Sequence, residues 1–219
     1  MDLIVAVDKA WNIGCRGSLL VRSKKDMAWF RKQTRGKILV YGRKTLESFP
    51  NCEPLPYRRN IILSRQIDFT VRGAEVCNSV AELARRLTPR QRQEVMVIGG
   101  AEIYRLLLPG CERAIITRFD KVFEADTDFP NLDMNDRWEL VWQDDRRYDI
   151  EADIFYQFKI VDSSQHPDLE GEIIFAASPF EKRGKGLKLC NKELNENDIL
   201  DYKTVKNIIK KEGGVHQQI

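Results

Sequence analysis

The chain has 219 residues, of which 42% are hydrophobic and 32% charged, with a formal net charge of +3. That composition suits one ordinary globular domain, or one domain with a small appendage, and it supplies a sizeable core. No apolar run approaches the ~18 residues that a membrane span needs, and so mild a positive charge gives no reason to expect nucleic acid as a partner.

The first strand-like run, at 3–7, follows an N-terminus with no basic region. It is too short for a signal peptide, so the expected location is the cytoplasm. Next comes a helical pattern at 23–33, opening with Ser23 as a candidate N-cap. A strand at 37–41 runs into a helix at 43–48, and a further strand follows at 60–64. The helix expected at 79–87 places Val80, Leu83 and Leu87 on one face, with Ser79 and Glu82 spaced as a capping box. A strand at 94–98 meets Gly99-Gly100 and then another helical pattern, and a strand at 114–119 follows. The strands are β-branched and almost continuously apolar, as buried central strands are. Alternation with helices predicts an α/β fold with a central, mostly parallel twisted sheet and flanking helices.

The pattern then changes. Runs at 138–143 and 154–161 flank a charged stretch and predict a long C-terminal antiparallel hairpin. A boundary is expected at Ser163, dividing a main domain (1–162) from a small α/β appendage (163–219). The appendage holds nine basic and nine acidic residues, a short apolar run at 172–177, a basic loop at 182–188 and a helix at 198–212. Ile199, Tyr202, Val205, Ile208 and Ile209 form an apolar stripe on that helix. A free helix of this length is marginal in water, so it is expected to dock on the main domain, on a second copy of the chain or on another partner. The oligomeric state is left open.

Cys15, Cys52, Cys77, Cys111 and Cys190 are odd in number, with no C-x-x-C pair, which argues against a disulfide framework or a zinc site. The two histidines, His166 and His216, both fall in the appendage, so the main domain has none for a catalytic triad or a metal centre. No metal is expected.

Three places carry chemistry. Asp26, Trp29, Phe30 and Gln33 share a helix face, which puts a carboxylate on an apolar stripe. Asp26 there either serves the helix dipole while staying wet or faces a ligand, accepting two N–H bonds side by side. Gly42-Arg43-Lys44-Thr45 lies at the carboxyl end of a strand, where a helix N-terminus and two cations suit phosphate. Arg65 adds a cation at the end of another strand, although both stretches also read as solvated basic loops. Gly99-Gly100 occupies the equivalent place after its strand, but the sequence there is not the GxGxxG fingerprint of a standard dinucleotide-binding unit.

Six stretches occur together in order: Trp11-Asn12-Ile13-Gly14, the Asp26–Phe30 stretch, residues 42–45, 55–64 and 97–104, and the segment Asp126-Thr127-Asp128-Phe129-Pro130. In this set and spacing, residues 1–162 resemble the dihydrofolate reductase family. The resemblance implies NADPH as cofactor and dihydrofolate as substrate, reduced to tetrahydrofolate by hydride transfer to C6 and protonation of N5. It implies that Asp26 is the acid that holds the pterin edge, with Thr117 hydrogen-bonding through to it. Ile4, Ala6, Met27, Phe30, Phe49, Leu55 and Ile98 would line the folate pocket, and Arg58 would pair with the α-carboxylate of the glutamate tail. Ala6, Ile13, Gly14, Gly42, Arg43, Lys44, Thr45, Ser64, Arg65, Gly99, Gly100 and Tyr104 would hold the cofactor. In the family a cis peptide joins the glycine pair.

The chain departs from the family pattern in three places. Leu19-Leu20-Val21 stands where the mobile loop usually reads Leu-Pro-Trp, so Val21 replaces an indole. Lys44 replaces a common histidine, and the appendage has no counterpart in the typical single-domain enzyme. Two other functions fit the same scaffold: a pyrimidine reductase of riboflavin synthesis, which would not want the Asp26 carboxylate, and a non-catalytic folate- or nucleotide-binding protein.

Overall fold

The structure, a computed structural model, describes residues 1–163. The boundary expected at 163 and the features expected beyond it, including Cys190 and both histidines, lie at the edge of or outside the described residues. Twelve strands and five α-helices are present among the described residues. In chain order they are β1 (Asp2–Val7), β2 (Asn12–Cys15), β3 (Ser18–Leu19), α1 (Lys24–Thr34), β4 (Ile38–Gly42), α2 (Arg43–Glu47) and β5 (Arg59–Leu63). Then follow β6 (Glu75–Cys77), α3 (Val80–Arg86), α4 (Pro89–Gln93), β7 (Val95–Gly99), α5 (Ala101–Leu107) and β8 (Arg113–Phe119). The last are β9 (Thr127–Asp128), β10 (Trp138–Gln143), β11 (Arg147–Asp149) and β12 (Ile154–Ser163).

One sheet carries the fold, in the order β10-β12-β8-β1-β7-β4-β5-β6. From β8 to β6 the neighbours are parallel, while β12 joins β8 and β10 antiparallel. This is the mostly parallel α/β sheet that the alternation of elements predicts. Leu3, Leu39, Val40, Ile61, Ile62 and Val97 are fully buried, as expected of central strands covered on both faces. A small second sheet, β3-β2-β9, brings the 12–19 loop beside Thr127–Asp128.

The antiparallel pairing expected of 138–143 with 154–161 is present, β10 against β12, and β11 forms within the charged stretch and pairs with β12 in its own right. One local expectation is corrected. The capping box at α3 is only half formed. Ser79 Oγ accepts from Glu82 N, but the Glu82 carboxylate takes the N–H of Asn78, at 2.7 Å, rather than that of Ser79. A complete box caps α4 instead, between Thr88 and Gln91, with Pro89 in its first turn.

Candidate active site

The carboxyl ends of β1, β4 and β7 converge on one side of the sheet, and the residues that follow them surround a cleft of about 750 Å³. Ala6, Ile13, Gly14, Gly42, Arg43, Lys44, Thr45, Ser64, Arg65, Gly100 and Tyr104 all line it. Of the twelve residues assigned to the cofactor, only Gly99 does not; it lies beneath, in β7. The cleft also takes Gly17, Ser18 and Leu19 from the 12–19 loop, with Gln66, Arg105 and Asp126–Asp128. Sequence reasoning did not single out these lining residues, apart from Leu19 and the segment 126–128.

The cleft is asymmetric in charge. Arg43, Lys44, Arg65 and Arg105 stand at its cationic side. Arg43 bonds Glu47 one turn on, Arg65 meets Glu102 at 3.3 Å, and Arg105 meets Asp128 at 2.7 Å. These pairs are largely exposed, so their acceptors exchange readily for a stronger anion. Val5, Ala6, Ile13, Leu19 and Ile98 supply the apolar side. Gly42 and Gly100 are the N-caps of α2 and α5, and neither has a side chain to close onto the first-turn N–H groups.

The two glycines of the pair have different surroundings. Gly99 has φ +110°, and a Cβ there would stand 2.9 Å from Cε2 of Tyr104. A Cβ on Gly100 would meet only Thr45 Oγ1, at 3.4 Å, on the cleft side. The peptide bond between them is cis. Tyr104 is buried and its hydroxyl donates to Ile4 O at 2.6 Å, so its ring is fixed between β1 and Gly99.

Asp26 lies beyond the apolar side of the cleft. Ser23 caps α1, accepting from Asp26 N at 3.1 Å, which makes Asp26 a first-turn residue. It is nevertheless only 8% exposed. Burial pushes its carboxyl above the ordinary carboxylate range, and the Thr117 hydroxyl pulls weakly the other way. Thr117 Oγ1 is itself buried and has no hydrogen-bond partner among the described residues. The two groups are therefore close neighbours rather than a closed pair. Thr117 sits on β8, opposite Ala6 of β1 and Phe158 of β12.

Around this carboxylate Ile4, Phe30, Phe49, Leu55 and Ile98 share one apolar cluster with Leu39, Tyr41, Ile62 and Ile115. Ala6, Val21 and Trp29 pack against a second, formed by Phe119, Ile154, Tyr156 and Phe158. Val21, at the position of the replaced indole, is thus half-buried against β12 side chains. Met27 is the exception among the expected pocket residues: it is 37% exposed and belongs to neither cluster.

Arg58 lies in the turn before β5, three residues after Leu55 of the apolar cluster. Asn60, buried on β5, receives Leu55 N and donates to Leu55 O and Arg58 O, so it holds the turn that carries both residues. The guanidinium donates from Nε to Thr34 Oγ1 at 3.0 Å and from Nη1 to Pro56 O at 2.6 Å. Burial, then the charges of Arg35 and Arg31, lower its pKa. A cation held among cations is a site that an anion relieves.

The comparisons agree with this geometry. The family profile described as dihydrofolate reductase matches residues 1–163. The dihydrofolate reductase of Mycobacterium leprae is 41% identical over 140 residues, covering 63% of this chain and 84% of that protein. The Staphylococcus haemolyticus dihydrofolate reductase is 36% identical over 141 residues, 64% of this chain and 82% of that one. Among solved structures, dihydrofolate reductase from Enterococcus faecalis, complexed with NADP(H) and RAB-propyl, superposes with a TM-score of 0.66 at 29% identity. That match covers 75% of this chain and 96% of the other. With the sheet order, the cleft and the buried carboxylate all in accord, the chain belongs to the dihydrofolate reductase family.

Proposed function

We propose that this protein reduces 7,8-dihydrofolate to 5,6,7,8-tetrahydrofolate with NADPH, and that Asp26 is the residue on which the chemistry turns. The observation that carries the reading is a carboxyl buried in an apolar pocket, beside an unsatisfied Thr117 hydroxyl, next to a cleft with a cationic mouth. NADPH, when bound, supplies the hydride that goes to pterin C6. The residues of the cleft fit such a group: cations and capless helix starts at one end suit its phosphates, and Ala6, Ile13 and Ile98 at the other suit an apolar ring. In this reading Asp26, with Thr117, accepts the N–H edge of the pterin and promotes protonation at N5. Ile4, Ala6, Phe30, Phe49, Leu55 and Ile98 exclude water from the reacting atoms. Met27 contributes least, being exposed. Arg58 takes the α-carboxylate of the glutamate tail, and Arg43, Lys44, Thr45, Ser64 and Arg65 take the adenosine phosphates.

The pyrimidine reductase reading is not favoured, because the buried carboxylate suits a pterin edge. Among the described residues no helix is long and apolar enough to cross a membrane, and we place the reaction in the cytoplasm. The reductase domain is assigned to residues 1–162 and the extension to 163–219.

The test is single-turnover hydride transfer against pH for wild type and Asp26→Asn. The loss at neutral pH should be on the order of 10² or more, the scale of a lost acid–base group. It should shrink at low pH, where solution protonates the substrate. Stability should move the other way. The folded pKa of Asp26 is raised, so its contribution to stability is complete below the ordinary value of 3.8 and is lost as pH rises through the folded value. Asp26→Asn removes that loss, so the variant should be at least as stable as wild type at pH 7, with the two converging in acid. Matching transfer rates near neutral pH would sink the assignment.

A further inference from the structure

Asp26 is held in place by residues outside the pocket. The Ser23 hydroxyl that accepts from Asp26 N donates in turn to Asp149 Oδ2, at 2.5 Å, across a sequence separation of 126. Both side chains are buried, Ser23 at 1% and Asp149 at 2% exposure. The other carboxylate oxygen of Asp149 accepts the N–H groups of Glu151 and Ala152, at 3.1 and 3.3 Å. Every donor that holds this carboxylate is therefore a hydroxyl or a backbone amide of a tight turn. Among the described residues no cation bonds to it, and Lys25 and Lys24 act on it only through charge. A hydroxyl that donates on one side and accepts on the other has no rotational freedom left.

The arrangement changes what Asp26 does. An acidic residue at the third helical position ordinarily reaches back to the N-cap N–H. No such bond is present here among the described residues. Ser23 does the capping, Asp149 fixes the orientation of the hydroxyl, and the Asp26 carboxyl stands toward Thr117. Thr117 from β8 acts on Asp26, and the Asp26 charge in turn acts on the buried Tyr104 phenol of α5. Lys24 and Lys25 of α1 are exposed, and Lys24 is engaged by Glu151 at 2.7 Å.

We propose that Ser23 and Asp149 are positioning residues for Asp26: the turn between β11 and β12 fixes the first turn of α1, and so sets the carboxyl at the pocket wall. This rests on reading Asp26 as the acid of the site. Without the pair, the first turn of α1 loosens and water reaches the carboxyl. Its pKa then falls back toward the ordinary value, because burial is what raises it.

The experiment uses the full chain and the variants Ser23→Ala, Ser23→Thr, Asp149→Asn, Asp26→Asn and Lys24→Ala. It measures single-turnover hydride transfer across pH, NADP⁺ affinity by titration calorimetry, and melting temperature. Ser23→Ala and Asp149→Asn should each slow transfer by between ~3-fold and ~100-fold, the scale of a small misplacement. Each should also move the apparent pKa of the profile downward, with NADP⁺ affinity within about twofold of wild type. Ser23→Thr, which keeps the hydroxyl, should restore both readouts, and the double variant should be no worse than the poorer single. Should Ser23→Ala fail to fold, Asp149→Asn carries the same test, since Asn keeps the size and an acceptor for the turn. Lys24→Ala removes an exposed ion pair with Glu151 and a charge near Asp149 but leaves both hydrogen bonds of Ser23 in place, and should overlay wild type. Lower melting temperatures with an unmoved pH profile would overturn the inference, as would an equal shift in Lys24→Ala. If Asp26→Asn collapses while the Ser23 and Asp149 variants match wild type, only the positioning role fails. If Asp26→Asn keeps its rate, the reading of the site itself fails.

Discussion

Replacing the two adjacent glycines one at a time should separate folding from binding. At Gly99 a Cβ would approach Tyr104 Cε2 to 2.9 Å and Cζ to 3.2 Å. The ring cannot easily retreat, because its hydroxyl is bonded to Ile4 O and its face meets Phe129 edge-on at 5.0 Å. Overpacking of this kind costs about 1–3 kcal/mol. An L side chain at φ +110° adds about 1–3 kcal/mol more. Gly99→Ala should therefore lose roughly 2–6 kcal/mol, a large share of a typical domain's stability. Its melting temperature should fall by on the order of 10 °C or more. Gly100 has φ −78° and ψ −158°, extended backbone open to alanine, and its Cβ would make an ordinary contact with Thr45 Oγ1. Gly100→Ala should stay within about 1 kcal/mol of wild type in stability. Its methyl group enters the cleft, so NADP⁺ should bind about tenfold more weakly or worse, ~1.4 kcal/mol. Thermal unfolding without ligand and calorimetric titration with NADP⁺ read the two effects separately. Equal stability losses at both positions, or a Gly100→Ala variant that binds NADP⁺ as wild type does, would refute the division.

Other perturbations address the charged groups and the extension. Arg43→Ala should weaken NADPH far more than NADH, since a charge-assisted contact to the 2′-phosphate contributes about 1.5–3 kcal/mol; equal wild-type affinity for the two cofactors would remove the basis for this role. Arg58→Lys should raise the dissociation constant of dihydrofolate and leave NADP⁺ binding nearly unchanged, because an ammonium cannot reproduce a bidentate guanidinium pair; a matching loss of NADP⁺ affinity would make Arg58 structural. Truncation after Ser163 keeps the end of β12, where Ser163 N donates to Glu112 O and Ser163 Oγ accepts from Arg137. That fragment should melt and turn over as the full chain does, and a marked loss in either measurement would show that the extension supports the reductase domain.

The parallel central strands were legible in the sequence because each is a buried, β-branched run bounded by turn residues. β2, β3, β6, β9 and β11 were not. They have two to four residues each, too few for a period to appear, and they form because a neighbouring strand or loop presents an edge. The capping box was misplaced for a related reason. Spacing sets Ser79 and Glu82 within reach of one another, but a carboxylate can choose between two adjacent backbone N–H groups, and Glu82 takes Asn78. Spacing on α1 also left Asp26 poised between a wet first-turn residue and a buried one. It is a first-turn residue and buried, because Thr117 of β8 and Asp149 of β11 meet the start of the helix, a tertiary fact that no local pattern contains. The bond from Ser23 to Asp149 is invisible for the same reason, whereas Ser23 as a cap was visible at once.

The two regions of the site meet in few residues, and this bears on how the fold could bring substrate and cofactor together. The cleft is built from α2, α5 and the 12–19 loop, and the pocket around Asp26 from α1, β8 and the turn before β5. Ala6 and Ile98 line the cleft while packing into the clusters around the pocket. They sit near the carboxyl ends of β1 and β7, adjacent strands in the middle of the sheet, the position at which a parallel sheet opens to ligands. Arg58 and Arg43 are anchored on separate elements, α1 with the 55–58 turn and α2. Each can therefore fix one molecule's charged end without constraining the other's. Alignment of the reacting atoms then falls to the rigid strands between them, where the small side chain of Ala6 leaves room beside Ile98.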